Sequence, residues 1–141
     1  MSKESPLVLL AEDDAELREL IAKGLTRDGM TVIEVEDGVE LHDYLAECRP
    51  AGNEVVPDIV VSDVDMPLES GPHALERSAN LQSPVVLITA AADPGRLSDA
   101  AAAGFVNVVR KPFAIDTLTA TIRRIIRDWK ASEPSMGGRF A

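Results

Sequence analysis

The stretch Asp58-Ile59-Val60-Val61-Ser62-Asp63-Val64-Asp65-Met66-Pro67-Leu68-Glu69-Ser70-Gly71 joins a short apolar run to a carboxylate and then to a turn-forming segment. An apolar run this short, without alternation, reads as a strand covered on both faces, and such strands belong to parallel sheets packed between helices. The pattern recurs on either side. LVLLA (7–11) leads into Glu12-Asp13-Asp14, PVVLIT (84–89) ends in Thr89, and NVVR (107–110) leads into Lys111-Pro112. TVIEVE (31–36) alternates instead and reads as an edge strand.

Helical spacing fills the gaps between these runs. Leu17, Leu20, Ile21 and Leu25 form one apolar stripe, and Leu41, Tyr44, Leu45 and Cys48 a second. The last stripe is the longest: Ile115, Leu118, Ile122, Ile125, Ile126 and Trp129, with Arg123, Arg124, Arg127 and Lys130 loading its C-terminal half. Helices are also predicted over 73–81 and, alanine-rich, over 94–103, with Pro72 and Pro94 as starts and Gly29 and Gly104 as stops. Five strand-then-helix units predict a doubly wound, five-stranded parallel α/β domain over residues 1–130. Residues 131–141 lack periodicity and read as a flexible tail, and the polar segment 48–58 as a loose loop.

With 141 residues, 24 Asp plus Glu and 14 Lys plus Arg, the chain carries a formal net charge of −10. One core is enough to stabilise a domain of this size without disulfides or a structural metal. The negative balance opposes a phosphate backbone, and no Lys/Arg run offsets it, so no direct nucleic-acid contact is expected. Cys48 is the only cysteine, and with only His42 and His73 beside it no zinc spacing exists. Neither a signal-peptide core nor a membrane-spanning run is present, and the chain reads as cytoplasmic. With few aromatics, the core must be built from Val, Ile, Leu and Ala.

In an open parallel sheet, ligands bind beyond the carboxyl ends of the strands. The runs here end in Glu12-Asp13-Asp14, Asp63, Thr89 and Lys111, so carboxylates, a hydroxyl and an ammonium converge on one edge. Clustered carboxylates repel one another unless a cation neutralises them, and an all-oxygen set suits Mg2+. Lys111 and Thr89 would then hold a phosphoryl group, and Asp63 is placed to carry it. Asp13 or Asp14 could instead cap the first helix, Asp13 and Glu16 having capping-box spacing; Asp14 is read as the structural one of the two.

LLAEDD, VVSDVDMPLESG, LITAA and VVRKPF, with Asp13, Asp63, Thr89 and Lys111 separated by 50, 26 and 22 residues, resemble the motifs of a two-component response regulator receiver domain of the CheY-like type. The resemblance covers about Leu7 to Trp129. It implies a flavodoxin-like sheet of order 2-1-3-4-5. It further implies that Asp63 is the phosphoacceptor, Asp13 a direct magnesium ligand, Glu12 a ligand through water, and Asp65 a ligand through its backbone carbonyl. Thr89 would bond the phosphoryl oxygen, Lys111 would pair with the phosphoryl group or the free Asp63, the Lys111-Pro112 bond would be cis, and Gly71 would be the loop glycine. The implied partners are a sensor histidine kinase or histidine phosphotransfer protein and a downstream protein target.

Two departures from that pattern stand out. Val108 occupies the place of the usual switch aromatic, with Phe105 three residues too early, and the segment between Gly71 and Val85 is about one helical turn short. The span from Met1 to Ala141 without an output domain favours a stand-alone regulator over a receiver cut from a hybrid kinase or transcription factor. Asp63-Val64-Asp65 also resembles the acid pair of haloacid-dehalogenase-like phosphatases, but a further acidic pair precedes it and Met66-Pro67 follows it. A flavin carrier of the same architecture is disfavoured because Glu12-Asp13-Asp14 would repel a phosphate in the first loop. His42, His73 and Cys48 are assigned no function.

Overall fold

The computed structural model describes residues 5–48, 52, 54–78, 81–90 and 107–132. The elements run β1 (Leu7–Ala11), α1 (Ala15–Arg27), β2 (Thr31–Val35), α2 (Gly38–Ala46), β3 (Ile59–Asp63), α3 (Gly71–Arg77), β4 (Val85–Thr89), β5 (Val108–Arg110) and α4 (Ile115–Ser132). The predicted helix over 94–103, with Gly104 and Phe105 behind it, lies outside the described residues. The final helix runs through Ser132, two residues into the segment read as tail, and 133–141 are not described.

All strand pairs are parallel and the order is β2-β1-β3-β4-β5, with the alternating strand β2 at the edge as expected. Successive side chains of a strand point to opposite faces, and this divides the core in two. Val8 and Leu10 of β1 face Ile21 and Leu25 of α1 and Leu118, Ile122 and Ile126 of α4. Leu9 and Ala11 face Leu41 and Tyr44 of α2 and Ala74 and Leu75 of α3. Every residue of β3 and β4 is buried, which is why their runs are apolar without interruption. Each fully buried Leu, Ile or Val in these layers contributes about 1.5–3 kcal/mol relative to exposure.

The third helix differs from its predicted span of 73–81. It begins earlier, because Ser70 caps it, accepting from the His73 amide at 3.2 Å, and Pro72 suits its first turn. It ends earlier, because Ser78 turns extended and bonds its hydroxyl back to the Ala74 carbonyl at 2.8 Å. Cys48 lies just beyond α2, partly buried, its thiol near the carbonyls of Tyr44 and Val55 at 3.4 and 3.5 Å. Tyr44 pins the described part of the following loop by donating to the Val55 carbonyl at 2.8 Å.

Leu68, in the β3–α3 loop, has φ of 70° and is 79% exposed. A branched-chain residue pays about 1 kcal/mol in this left-handed region, and its exposed side chain recovers little by packing. Leu68→Asn is therefore expected to raise stability by roughly 0.5–1 kcal/mol, read from the denaturant midpoint; a lower midpoint would mean that the leucine makes compensating contacts.

Candidate functional site

Parallel register carries the polar ends of the strands to one edge. Ala11 lies opposite Ser62, Asp63 opposite Ile88, and Thr89 opposite Arg110. The residues that follow remain tied to the neighbouring strands, Glu12 N donating to Val35 O at 3.1 Å and Lys111 N to Thr89 O at 2.8 Å. Lys111-Pro112 is cis, as the motif implied. Asp14 is the cap of α1, its Oδ1 accepting from the amides of Glu16 and Leu17, so Asp13 is left for the cluster. Arg18 of α1 donates to the Glu12 carbonyl at 2.7 Å and steadies that turn.

Glu12, Asp13 and Asp63 each offer a carboxylate oxygen, and these atoms all lie within 4.8 Å of one another. Glu12 is fully buried and Asp63 is 5% exposed, whereas Asp13 is open to solvent. Lys111 Nζ sits 3.1 Å from Asp63 Oδ2 and 3.3 Å from Glu12 Oε1. The Asp65 amide donates to Asp63 Oδ1 at 3.2 Å, and the Asp14 amide to Glu12 Oε2 at 3.1 Å. Glu12 Oε1 makes no hydrogen bond among the described residues although it is buried. Thr89 is 1% exposed and stands one residue beyond Ile88, the partner of Asp63 in the register.

Burial, and after it the neighbouring Asp63 carboxylate, pushes the Glu12 carboxyl up to about 7, against the pull of the Asp14 amide and Lys111. Burial also works against the Lys111 ammonium, but Asp63 and Glu12 outweigh it and hold its pKa above the ordinary value. One ammonium facing three carboxylates leaves the cluster short of positive charge. The donors are all oxygen, and the buried Glu12 Oε1 has the Lys111 ammonium at 3.3 Å but no hydrogen bond of good geometry, so the set fits a hard divalent cation such as Mg2+.

Gly71 lies close against the end of β3. Its amide donates to the Val64 carbonyl at 3.1 Å, and a Cβ there would come within 2.3 Å of the Asp63 carbonyl oxygen and 2.5 Å of Ser62 Oγ. Val108 is half-buried and packs with the core layer on the α2–α3 side of the sheet. Sequence reasoning missed the Asp65 amide on Asp63 and the ion pairs of Glu69 in the same loop. Glu69 and Arg77 are eight residues apart, a spacing across a loop and a helix start that no periodicity marks.

Residues 8–123 match the family model described as the response regulator receiver domain. The chain is 31% identical over 138 residues to the response regulator MprA of Mycobacterium bovis (strain BCG / Pasteur 1173P2), covering 95% of this chain and 57% of that relative's length. It therefore spans little more than half of such relatives. Among solved structures it superposes on the chemotaxis response regulator CheY4 of Vibrio cholerae with a TM-score of 0.71 at 26% identity, covering 86% of this chain and 98% of that one. It also matches the signal receiver domain of a signal transduction histidine kinase from Syntrophus aciditrophicus, with a TM-score of 0.76 at 25% identity, covering 88% and 92% of the two chains. Sheet order, the acidic edge with its lysine and the extent of these matches agree: this chain belongs to the response regulator receiver domain family.

Proposed function

We propose that Asp63 accepts a phosphoryl group from a phosphohistidine of a sensor histidine kinase or histidine phosphotransfer protein, in a Mg2+-dependent reaction that alters binding to a downstream protein target. The observation that carries this reading is the Asp63 carboxylate held between the Asp65 amide and Lys111, with oxygens of Glu12 and Asp13 within 4.8 Å. An ionised carboxylate needs no general base to attack phosphorus, so the protein's work is positioning and charge neutralisation. An Asp63 oxygen forms the new bond to phosphorus as the P–N bond breaks, and the imidazole leaves with the electron pair. Lys111 offsets negative charge on the transferred group, and the Thr89 hydroxyl donates to one of its oxygens. Asp13, Asp63, the Asp65 carbonyl and, through water, Glu12 would hold Mg2+, which when bound neutralises phosphoryl oxygens.

Incubation with acetyl phosphate and magnesium should add one phosphoryl group by intact mass, and EDTA should prevent it. No adduct under either condition would refute the reading. The chain itself is read as cytoplasmic, and as free of direct nucleic-acid contact in keeping with its net charge of −10; no described helix is long and apolar enough to cross a membrane. A stand-alone regulator is one reading; a receiver within a larger regulator is the other, favoured by the 57% coverage of MprA. The mass of the native gene product separates them.

A pH dependence follows from Glu12. Its carboxyl, ordinarily at 4.5, is raised to about 7 in the fold, so the folded protein holds a proton there that the unfolded chain gives up. Metal-free stability should then fall as pH rises through that window, on the order of 1–3 kcal/mol, and level off above it. Glu12→Gln should flatten the profile, and magnesium should restore stability at pH 8. Denaturant midpoints across pH decide it; an unchanged slope in Glu12→Gln would locate the dependence elsewhere.

Output is read as unusual because Val108 stands where a ring would follow Thr89 inward. Beryllofluoride should shift amide signals mainly at Thr89, Ala90 and the 91–103 segment. Dominant shifts radiating from Val108 to Trp129 would overturn this account.

A further inference from the structure

The loop between β3 and α3 is held by charges that stand apart from the acidic cluster. The Glu69 side chain is only 6% exposed although it lies in a surface loop. Arg77, at the end of α3, grips it with two arms, Nε donating to Oε2 at 2.6 Å and NH2 to Oε1 at 2.7 Å. Such a fork fixes orientation as well as distance. His73 Nδ1 lies 2.7 Å from Oε2 on the other side. The Glu69 carbonyl rests against Gly38 at the start of α2, where a Cβ would come within 2.0 Å of the oxygen. Glu69 thus packs its backbone closely against α2 and is held by its side chain to α3.

This loop begins beside the acceptor. Its base is closed by Gly71 N on the Val64 carbonyl, and its second residue, Asp65, donates its amide to Asp63 Oδ1. A loop closed at the base and clamped near its end has little freedom to swing that amide away. We propose that the Glu69–Arg77 pair positions the phosphoacceptor: by fixing residues 64–70 it keeps the Asp65 amide on Asp63 Oδ1, so that the carboxylate stays oriented between that amide and Lys111. The inference rests on the reading of Asp63 as phosphoacceptor. Glu69 and Arg77 touch no reacting atom and are positioning residues.

The test compares the full-length wild type with Arg77→Met, which keeps the stem without the charge, Arg77→Lys, which keeps the charge without the fork, and the double variant Glu69→Gln/Arg77→Met. Two quantities are read: amide hydrogen exchange at Asp65 in the metal-free, unphosphorylated protein, and the magnesium concentration giving half-maximal phosphoryl uptake from acetyl phosphate. In Arg77→Met, exchange should quicken at least about tenfold and the half-maximal magnesium concentration rise roughly three- to tenfold, as for loss of an outer support of a metal site. Arg77→Lys should fall between, and the double variant should be no worse than Arg77→Met, because the two residues act as one unit. Unchanged exchange and magnesium dependence in Arg77→Met would overturn the proposal. So would a rise in exchange at Asp65 no larger than that of the β4 amides, which would mark general destabilisation. Should the wild type take up no phosphoryl group, the acceptor reading itself falls, and exchange at Asp65 alone then decides for or against the clamp.

Discussion

Asp63→Asn is expected to abolish phosphoryl uptake from acetyl phosphate while leaving the fold intact. An amide is nearly isosteric with the carboxylate but offers no anionic oxygen to attack phosphorus, so the loss should be complete at the limit of intact-mass detection. Stability should hold or rise in metal-free buffer. Asp63 sits beside the fully buried Glu12, with Lys111 3.1 Å from one and 3.3 Å from the other. Neutralising Asp63 removes a repulsion that raises the Glu12 carboxyl and leaves Lys111 to pair with Glu12. A persistent single-phosphoryl adduct in Asp63→Asn would transfer the acceptor role to another residue, with Asp13 the first to examine.

A large loss of stability from a one-carbon change is expected at Gly71, beside the acceptor. The added methyl of Gly71→Ala would lie 2.3 Å from the Asp63 carbonyl oxygen and 2.5 Å from Ser62 Oγ. The nearer atom is backbone at the end of a central strand, which cannot step aside as a flexible side chain would. Relief requires moving the start of α3 or the end of β3, at roughly 2–4 kcal/mol. Because the same displacement shifts Asp63 relative to Lys111, phosphoryl uptake should slow even where the variant remains folded. Chemical denaturation gives the first number and acetyl phosphate kinetics the second; a midpoint equal to that of the wild type would mean that the start of α3 yields at little cost.

The architecture was legible in the sequence because each central strand is buried on both faces, which forces an uninterrupted apolar run and makes its end conspicuous. β3 and β4 are buried at every position, and their runs stop at Asp63 and Thr89. Parallel pairing then places all carboxyl ends on one edge, so Glu12, Asp13, Asp63, Thr89 and Lys111 could be gathered from their positions alone. The edge strand was legible for the converse reason, since Thr31 and Glu34 of β2 are exposed.

Other features depended on contacts between distant segments. Asp13 and Asp14 are adjacent and chemically identical, yet Asp14 turns onto the amides of Glu16 and Leu17 while Asp13 joins the acidic cluster, an outcome set by how β1 leads into α1. The length of α3 turned on the Ser70 and Ser78 hydroxyls, each of which could have bonded elsewhere. The partial neutrality of Glu12 comes from its complete burial, and no pattern of neighbours in the chain announces burial of a carboxylate. The Glu69–Arg77 pair and the close approach of Gly71 to Asp63 are likewise products of packing between the loop, α2 and α3. Periodicity along a chain encodes which face of an element is apolar, and that determined the sheet, its helices and the edge where chemistry gathers. Which polar atoms meet across that edge is decided by distances between segments that only the assembled fold brings together.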